Sequence, residues 1–338
     1  MLSPTTLLCV ITGLVLTGVT LADIFATILV PGPAEGVLRI GARLRQPAML
    51  AARLFSFRRR TPRQGRSNVL APLVFLLIFA SWMLLLLLGY GLLFFGLRHH
   101  FTPELTGLDD ALYFAGSSLL TLGVSEVNAH GPARWLLLAA GLSGFGVITA
   151  TLTFVVQVQS ALHQRESRVL TLASLAGTPP TGIGLLQAVA SLDVGSELHD
   201  FFRIWRDWAA AMLHSHIASP MLIFFHSVDA ESDWLTSLEA VLDAATMLMA
   251  LTQHEARGAA TLMHRTGSRT AARLAGLLGV EALDPAPLGA EVVRRLIERL
   301  RQSGYVVDDD GEEAIATFER LRGDYAGRIN ALAKELGG

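Results

Sequence analysis

Few side chains in this 338-residue sequence stand in a spacing that could make or break covalent bonds. Cys9 is the single cysteine, so neither an intrachain disulfide nor a thiolate metal cluster can form. His214 and His216 are two residues apart, which on a helix sends them to nearly opposite faces instead of forming the i,i+4 pair of a zinc helix. The run Asp308-Asp309-Asp310-Gly311-Glu312-Glu313 invites calcium. Placing Gly311 at the turn of a calcium loop, however, puts Val306 at the first ligand position and Thr317 at the last. These acids suit a helix N-terminus better, where the dipole favours negative charge. No serine, cysteine or carboxylate constellation has catalytic spacing, which argues against an enzyme, and no Gly-x-Gly-x-x-Gly follows a strand, which argues against a Rossmann-type domain. What remains is Thr121-Leu122-Gly123-Val124-Ser125-Glu126, directly after a short apolar helix, and its use depends on what holds it.

The elements that must hold it are apolar. Hydrophobic residues make up 51% of the chain and charged residues 17%, too apolar a balance for a water-soluble protein of this length. No charged residue lies between Arg66 and Arg98 or between Arg134 and Arg165, and the first 38 residues carry only Asp23 and Glu35. Three membrane spans fit, near residues 5–30, 69–97 and 135–158. The first lacks a preceding Lys or Arg and is longer than a signal's apolar core, so it reads as a retained span. Asp23, the acid within it, suits a pair with an arginine of the following loop.

That loop carries Arg39, Arg43, Arg45, Arg53, Arg58, Arg59, Arg60, Arg63 and Arg66 against Glu35 alone. The positive-inside rule places it in the cytoplasm, which puts the N-terminus outside and, after three crossings, the C-terminal domain inside. Leu44, Met49, Leu50, Leu54 and Phe55 are interleaved with the arginines, as in a helix lying on the inner membrane surface with its guanidinium groups among anionic lipid phosphates. The overall charge of −2 gives no reason to expect nucleic acid. Residues 1–34 are therefore an N-terminal transmembrane helix, 35–66 a basic interfacial segment, 67–163 a two-span unit and 164–338 a C-terminal domain. A cytoplasmic (inner) membrane is the expected setting.

Between the second and third spans, Leu108 to Leu122 (LDDALYFAGSSLLTL) reads as a short helix, with Asp109 and Asp110 at its positive end. It is too short to cross, so it lies on the surface or dips in and returns. A span, a pore helix opening on Asp-Ala-Leu-Tyr-Phe, a Thr-hydrophobic-Gly at its end and then a glycine-containing span together resemble the pore unit of the potassium-channel superfamily. The N-terminal span, ending in Asp23-Ile-Phe-Ala-Thr-Ile-Leu-Val-Pro31, resembles a bacterial branch with an extra span before the pore. The likeness covers about residues 20 to 165.

The resemblance implies a homotetramer with the pore on its four-fold axis, a pore helix at 107–120, a filter at 121–126 and an inner helix at 133–163. Backbone carbonyls there would replace the hydration water of a potassium or sodium ion, with no cofactor. Thr121, Leu122, Gly123, Val124 and Ser125 fall on the filter and Glu126 on the outer mouth. The usual filter, Thr-Val-Gly-Tyr-Gly-Asp, is kept in its inner half and changed in its outer half. Ser125 replaces a left-handed glycine, at about 1 to 2 kcal/mol per subunit, and Val124 removes the bracing phenol. Weak potassium selectivity or none follows as the expectation. A non-conducting membrane-anchored sensor or scaffold that retains the channel architecture is the alternative. Gly144 and Gly146 fall where such an inner helix bends to open, although glycines also let helices pack closely. The external His99, His100 and His130 could lend proton sensitivity.

After the third span the apolar period is helical, over residues 185–192, 197–213, 220–225, 234–251, 256–278, 288–300 and 312–336, with little strand-like alternation. The fold class is an all-α membrane protein: three transmembrane helices, a re-entrant pore helix with its filter, and an all-helical domain. Trp205, Trp208 and Trp234, with Phe201, Phe202, Phe224 and Phe225, would form that domain's core.

Overall fold

The computed structural model describes residues 4–28, 64–123, 127–219, 222, 223, 225, 227, 233–284, 287–307 and 311–336, with the backbone alone for 64–75. The arginine-rich segment and Val124, Ser125 and Glu126 lie outside the described residues. The chain divides into two units, residues 1–158 and 159–338.

In the first unit, α1 (Pro4–Ile28) packs along α2 (Gln64–Gly96). Small residues allow that approach: a Cβ at Gly89 would lie 2.4 Å from Thr17 Oγ1, and one at Gly13 2.8 Å from the Gly89 carbonyl oxygen. Asp23 is fully buried here, and the Trp82 indole Nε1 donates to its Oδ2 at 3.0 Å. The arginine expected beside it falls outside the described residues. Two-residue strands β1 (Phe101–Thr102) and β2 (Asn128–Ala129) pair antiparallel, with the re-entrant helix α3 (Leu108–Leu119) between them. Phe94, Phe101 and Phe114 meet edge to face with centroids 5.2 to 5.6 Å apart, fixing α3 against the end of α2. Helix α4 (Pro132–Ala176) starts with proline at its first turn, where no amide donor is needed, and contributes residues to both units.

The second unit is a bundle built from the end of α4 with α5 (Gly182–Ser191), α6 (Leu198–Ala218), α7 (Trp234–Leu251), α8 (Arg257–Leu278), α9 (Ala290–Gln302), α10 (Glu312–Gly323) and α11 (Ala326–Leu336). Local signals set its boundaries. Thr181 accepts from Gly184 N and Asp233 from Thr236 N as side-chain caps, and Gly279 closes α8 at φ 67°. Helix α7 is, by length and composition, as able to cross a membrane as α1, α2 and α4, yet 72% of it is buried by the bundle's own helices. It is a core helix. The sequence predicts one helix from 312 to 336, whereas the structure has two. The chain turns at Gly323 and Asp324 because Tyr325, fully buried, points its hydroxyl into Asp243 on α7.

Phe202, Trp205, Trp208 and Trp234 are buried in the bundle core, Phe201 packs against it, and Phe224 lies outside the described residues. Arg165 joins them. It is 3% exposed, and it donates to the carbonyls of Leu222 (3.4 Å) and Phe225 (2.7 Å) and to Glu166 Oε1 (2.9 Å). Its guanidinium lies 5.6 Å from the Trp234 ring centroid, and its own carbonyl accepts from Trp208 Nε1.

Candidate pore loop

The re-entrant segment is anchored at both ends. Phe101 pairs with Ala129 and Thr102 with Asn128, while His130 N donates to His100 O at 2.8 Å. Arg134 Nε donates to Ala129 O at 2.9 Å, holding β2 to the start of α4. On the entry side, Asp110 accepts from both the amide and the hydroxyl of Thr106, reaching back from the third position of α3 as a capping-box acid does. Glu104 lies 2.7 Å from His99 Nδ1 and 3.7 Å from Arg98 Nε.

Helix α3 ends in a closed cap. Leu122 N donates to Ser117 O at 2.9 Å and Thr121 N to Ser118 O at 3.1 Å, the two crossed bonds of a Schellman motif. That motif requires a left-handed residue at the position of Thr121, usually glycine, and Thr121 adopts it at φ 55°. Its hydroxyl donates to Leu120 O at 2.8 Å. Gly123 is also left-handed, φ 68°, with open space where a Cβ would stand. Leu120, Thr121, Leu122 and Gly123 are all exposed in the single chain, Leu122 to 72%. Among the described residues no backbone amide donates to the carbonyls of Thr121, Leu122 or Gly123.

The glycines of α4 sit at unequal places. A Cβ on Gly144 would lie 1.9 Å from the carbonyl oxygen of Leu119, in the last turn of α3, and one on Gly141 3.6 Å from that of Ser118. A Cβ on Gly146 would meet nothing within 4 Å outside its own helix among the described residues. Gly144 is thus a seat for the pore helix, and Gly146 is unconstrained by packing. Next to the seat, Tyr90 on α2 and Ser143 on α4 share a hydrogen bond of 2.7 Å. Sequence reasoning passed over both residues. Their signal was present, a phenol and a hydroxyl in otherwise apolar spans, each needing a partner away from water. Further along, the Thr153 hydroxyl donates back to Thr149 O at 3.0 Å, which spends its proton within the helix.

Residues 73–160 match a family model described as an ion channel. Over 187 residues the chain is 26% identical to an uncharacterized membrane protein, YdjJ, of Bacillus subtilis (strain 168), covering 53% of this chain and 52% of that protein. Over 80 residues it is 32% identical to Protein LctB of Bacillus caldotenax and 33% identical to Protein LctB of Geobacillus stearothermophilus, covering 20% of this chain and 60% of each relative. The chain thus spans about half to three fifths of the length of these curated relatives. No solved structure matches it. With a short helix folded back between two long apolar helices, closed by Thr-Leu-Gly and stapled at its base, the segment that matches is a pore unit of the potassium-channel superfamily.

Proposed function

We propose that this chain is a cation channel that assembles as a homotetramer in a bacterial inner membrane and passes monovalent cations down their gradient. One observation carries the reading: a re-entrant helix delivers Thr121, Leu122 and Gly123 to an exposed edge, with the Thr121 and Leu122 amides capping the helix and the carbonyls of all three accepting no backbone hydrogen bond among the described residues. A cation that sheds water needs oxygens on all sides, and one chain supplies one side, so four copies around an axis complete the site. An apolar stripe on α4, with Trp135, Leu138, Leu142, Phe145, Leu152 and Val156 exposed at spacings of three, four and seven, supports a buried environment among copies and lipid.

Glycine at 123 keeps the inner part of the filter adaptable, whereas Val124 and Ser125 replace an aromatic brace and a second glycine. The result is a short or wide filter with weak potassium selectivity or none. Glu126 places a carboxylate at the outer mouth, where four would concentrate cations. The arginine-rich segment faces the cytoplasm and meets anionic lipid, which puts the N-terminus outside and the C-terminal bundle inside.

The test is ion flux through purified protein in liposomes, comparing potassium, sodium and a large organic cation, with Thr121→Ala alongside. Equal potassium and sodium flux with the organic cation excluded, altered by Thr121→Ala, is expected. Strong potassium preference would overturn the selectivity reading. No flux from an intact tetramer, even after Val124→Tyr with Ser125→Gly, would make the chain a non-conducting scaffold that retains the channel architecture.

A further inference from the structure

The bundle of the second unit contains a polar cluster on α7 that the pore does not use. Glu239 and Asp243 stand one helical turn apart on the same face of α7 and share a single cation, Arg322 of α10. Arg322 Nη2 is 3.9 Å from Glu239 and its Nε 3.8 Å from Asp243, too far for a hydrogen bond to either, and that buried Nε has no hydrogen-bond partner among the described residues. Asp243 also accepts from the buried Tyr325 hydroxyl, which lies 3.3 Å from the Thr246 hydroxyl.

The arginine is held between two carboxylates and committed to neither. Burial, then repulsion from Asp243, pushes Glu239 up to about 7, against the attraction of Arg322, and burial raises Asp243 as well. Two carboxylates so placed do not both stay charged as the solution turns acidic.

The other groups facing the cluster are few. On α7 itself Asp233 adds repulsion. From α8, His264 reaches it through its ring contact with Tyr325, while its Nε2 is 3.0 Å from Leu321 O and 3.8 Å from Asp324. From α6, His216 lies against Trp234 at the far end of α7. Helix α5, which rests on the same turn of α7, has no titratable side chain.

That resting place is tight. A Cβ on Gly182, the first residue of α5, would lie 2.6 Å from Ala244 N, 2.7 Å from Asp243 Cβ and 2.9 Å from Ala240 O. Gly184 is equally close to Ala176 O at the end of α4, at 2.9 Å. The cluster is therefore in direct contact with the helix that follows α4, and α4 also carries the pore-unit glycines.

We propose that Glu239, Asp243 and Arg322 form a proton-operated joint: proton uptake by Glu239 transfers Arg322 wholly to Asp243, resets the seat of α5 on α7 and thereby regulates the pore. The ligand is the proton itself, taken from solvent onto a carboxylate oxygen, and the exchange of ionic partner is its consequence. The regulatory half rests on the channel reading. The proton site does not.

The experiment uses the full chain in liposomes. Infrared absorbance of protonated carboxyl groups, wild type against Glu239→Gln, should show a component lost in the variant with a midpoint near neutral pH. A midpoint below about pH 5, within the ordinary carboxylate range, overturns the proton site. In Asp243→Asn the midpoint should fall by about one pH unit as its repulsion is removed, and an unchanged midpoint overturns the sharing. Cation flux should differ at least about two-fold between pH 6 and pH 8 on the bundle's side, a difference that Glu239→Gln abolishes. Equal flux at both values, or a pH response kept in the variant, overturns the regulation. Absence of flux at every pH overturns the regulation together with the channel reading, while the infrared midpoint still decides the proton site.

Discussion

Gly144 of α4 faces the carbonyl oxygen of Leu119 so closely that a methyl group at that position would stand 1.9 Å from it. The obstacle is backbone at the last turn of α3, which cannot rotate away as a side chain can. Gly144→Ala should therefore displace the pore helix and lower stability by about 1 to 3 kcal/mol, the range of overpacked sites. Gly146→Ala, in open space, should be tolerated. Thermal midpoints of the two variants in detergent check this, and equal midpoints would remove the seat.

Thr121 holds the left-handed position of the α3 cap without being glycine. Thr121→Gly should raise stability by about 1 kcal/mol, since glycine enters this region without the Cβ conflict, while removing a hydroxyl from the proposed filter. A higher unfolding midpoint accompanied by altered flux is the expected pair. A lower midpoint would show that the hydroxyl bond to Leu120 O outweighs the strain.

Arg165 supplies charge to Glu166 and donors to two carbonyls in a buried setting. Arg165→Ala should cost about 3 to 5 kcal/mol, because it strands those acceptors and leaves a carboxylate without its partner. Arg165→Lys should recover only part of it, since an ammonium cannot reach with a planar fork. Chemical denaturation followed by tryptophan fluorescence reads both, with Trp208 and Trp234 beside the site.

His216 donates from Nδ1 to Met212 O and is buried against Trp234, and burial pushes it down to about 4. A histidine depressed in the folded state stabilises the fold above its ordinary value. That contribution, on the order of 3 kcal/mol over the whole window, is lost as pH falls from about 6.5 through about 4. Glu239 has the opposite sign: its raised value makes the fold gain stability as pH falls from about 7 towards 4.5. His216→Phe in a Glu239→Gln background should reduce the pH dependence of the thermal midpoint between pH 7.5 and 4.5, leaving the slope of Asp243, and each single variant should expose the other slope. A flat profile in the wild type together with flat single variants would refute both assignments.

The all-helical membrane class and the pore unit were legible because charge-free runs and a Thr-Leu-Gly after a short helix are local signals. The break at Gly323 and Asp324 was not, since helical periodicity runs straight through it and only the burial of Tyr325 against Asp243 turns the chain. The burial of Arg165 was not legible for a similar reason. Its position after a span suits a membrane-flanking charge, and the carbonyls of Leu222 and Phe225 that bury it are more than fifty residues away in sequence. Gly141, Gly144 and Gly146 look alike in sequence, and only the position of α3 tells them apart.

The two-residue ribbon at Phe101–Thr102 and Asn128–Ala129 makes everything between it a ring closed at its base. Lengthening a closed ring costs little entropy, since doubling a loop adds only about 0.6 kcal/mol. Residues 101–129 are thus a cassette whose interior can vary in sequence and length while its ends stay fixed. The same cassette is a natural unit for transplantation into another two-span host.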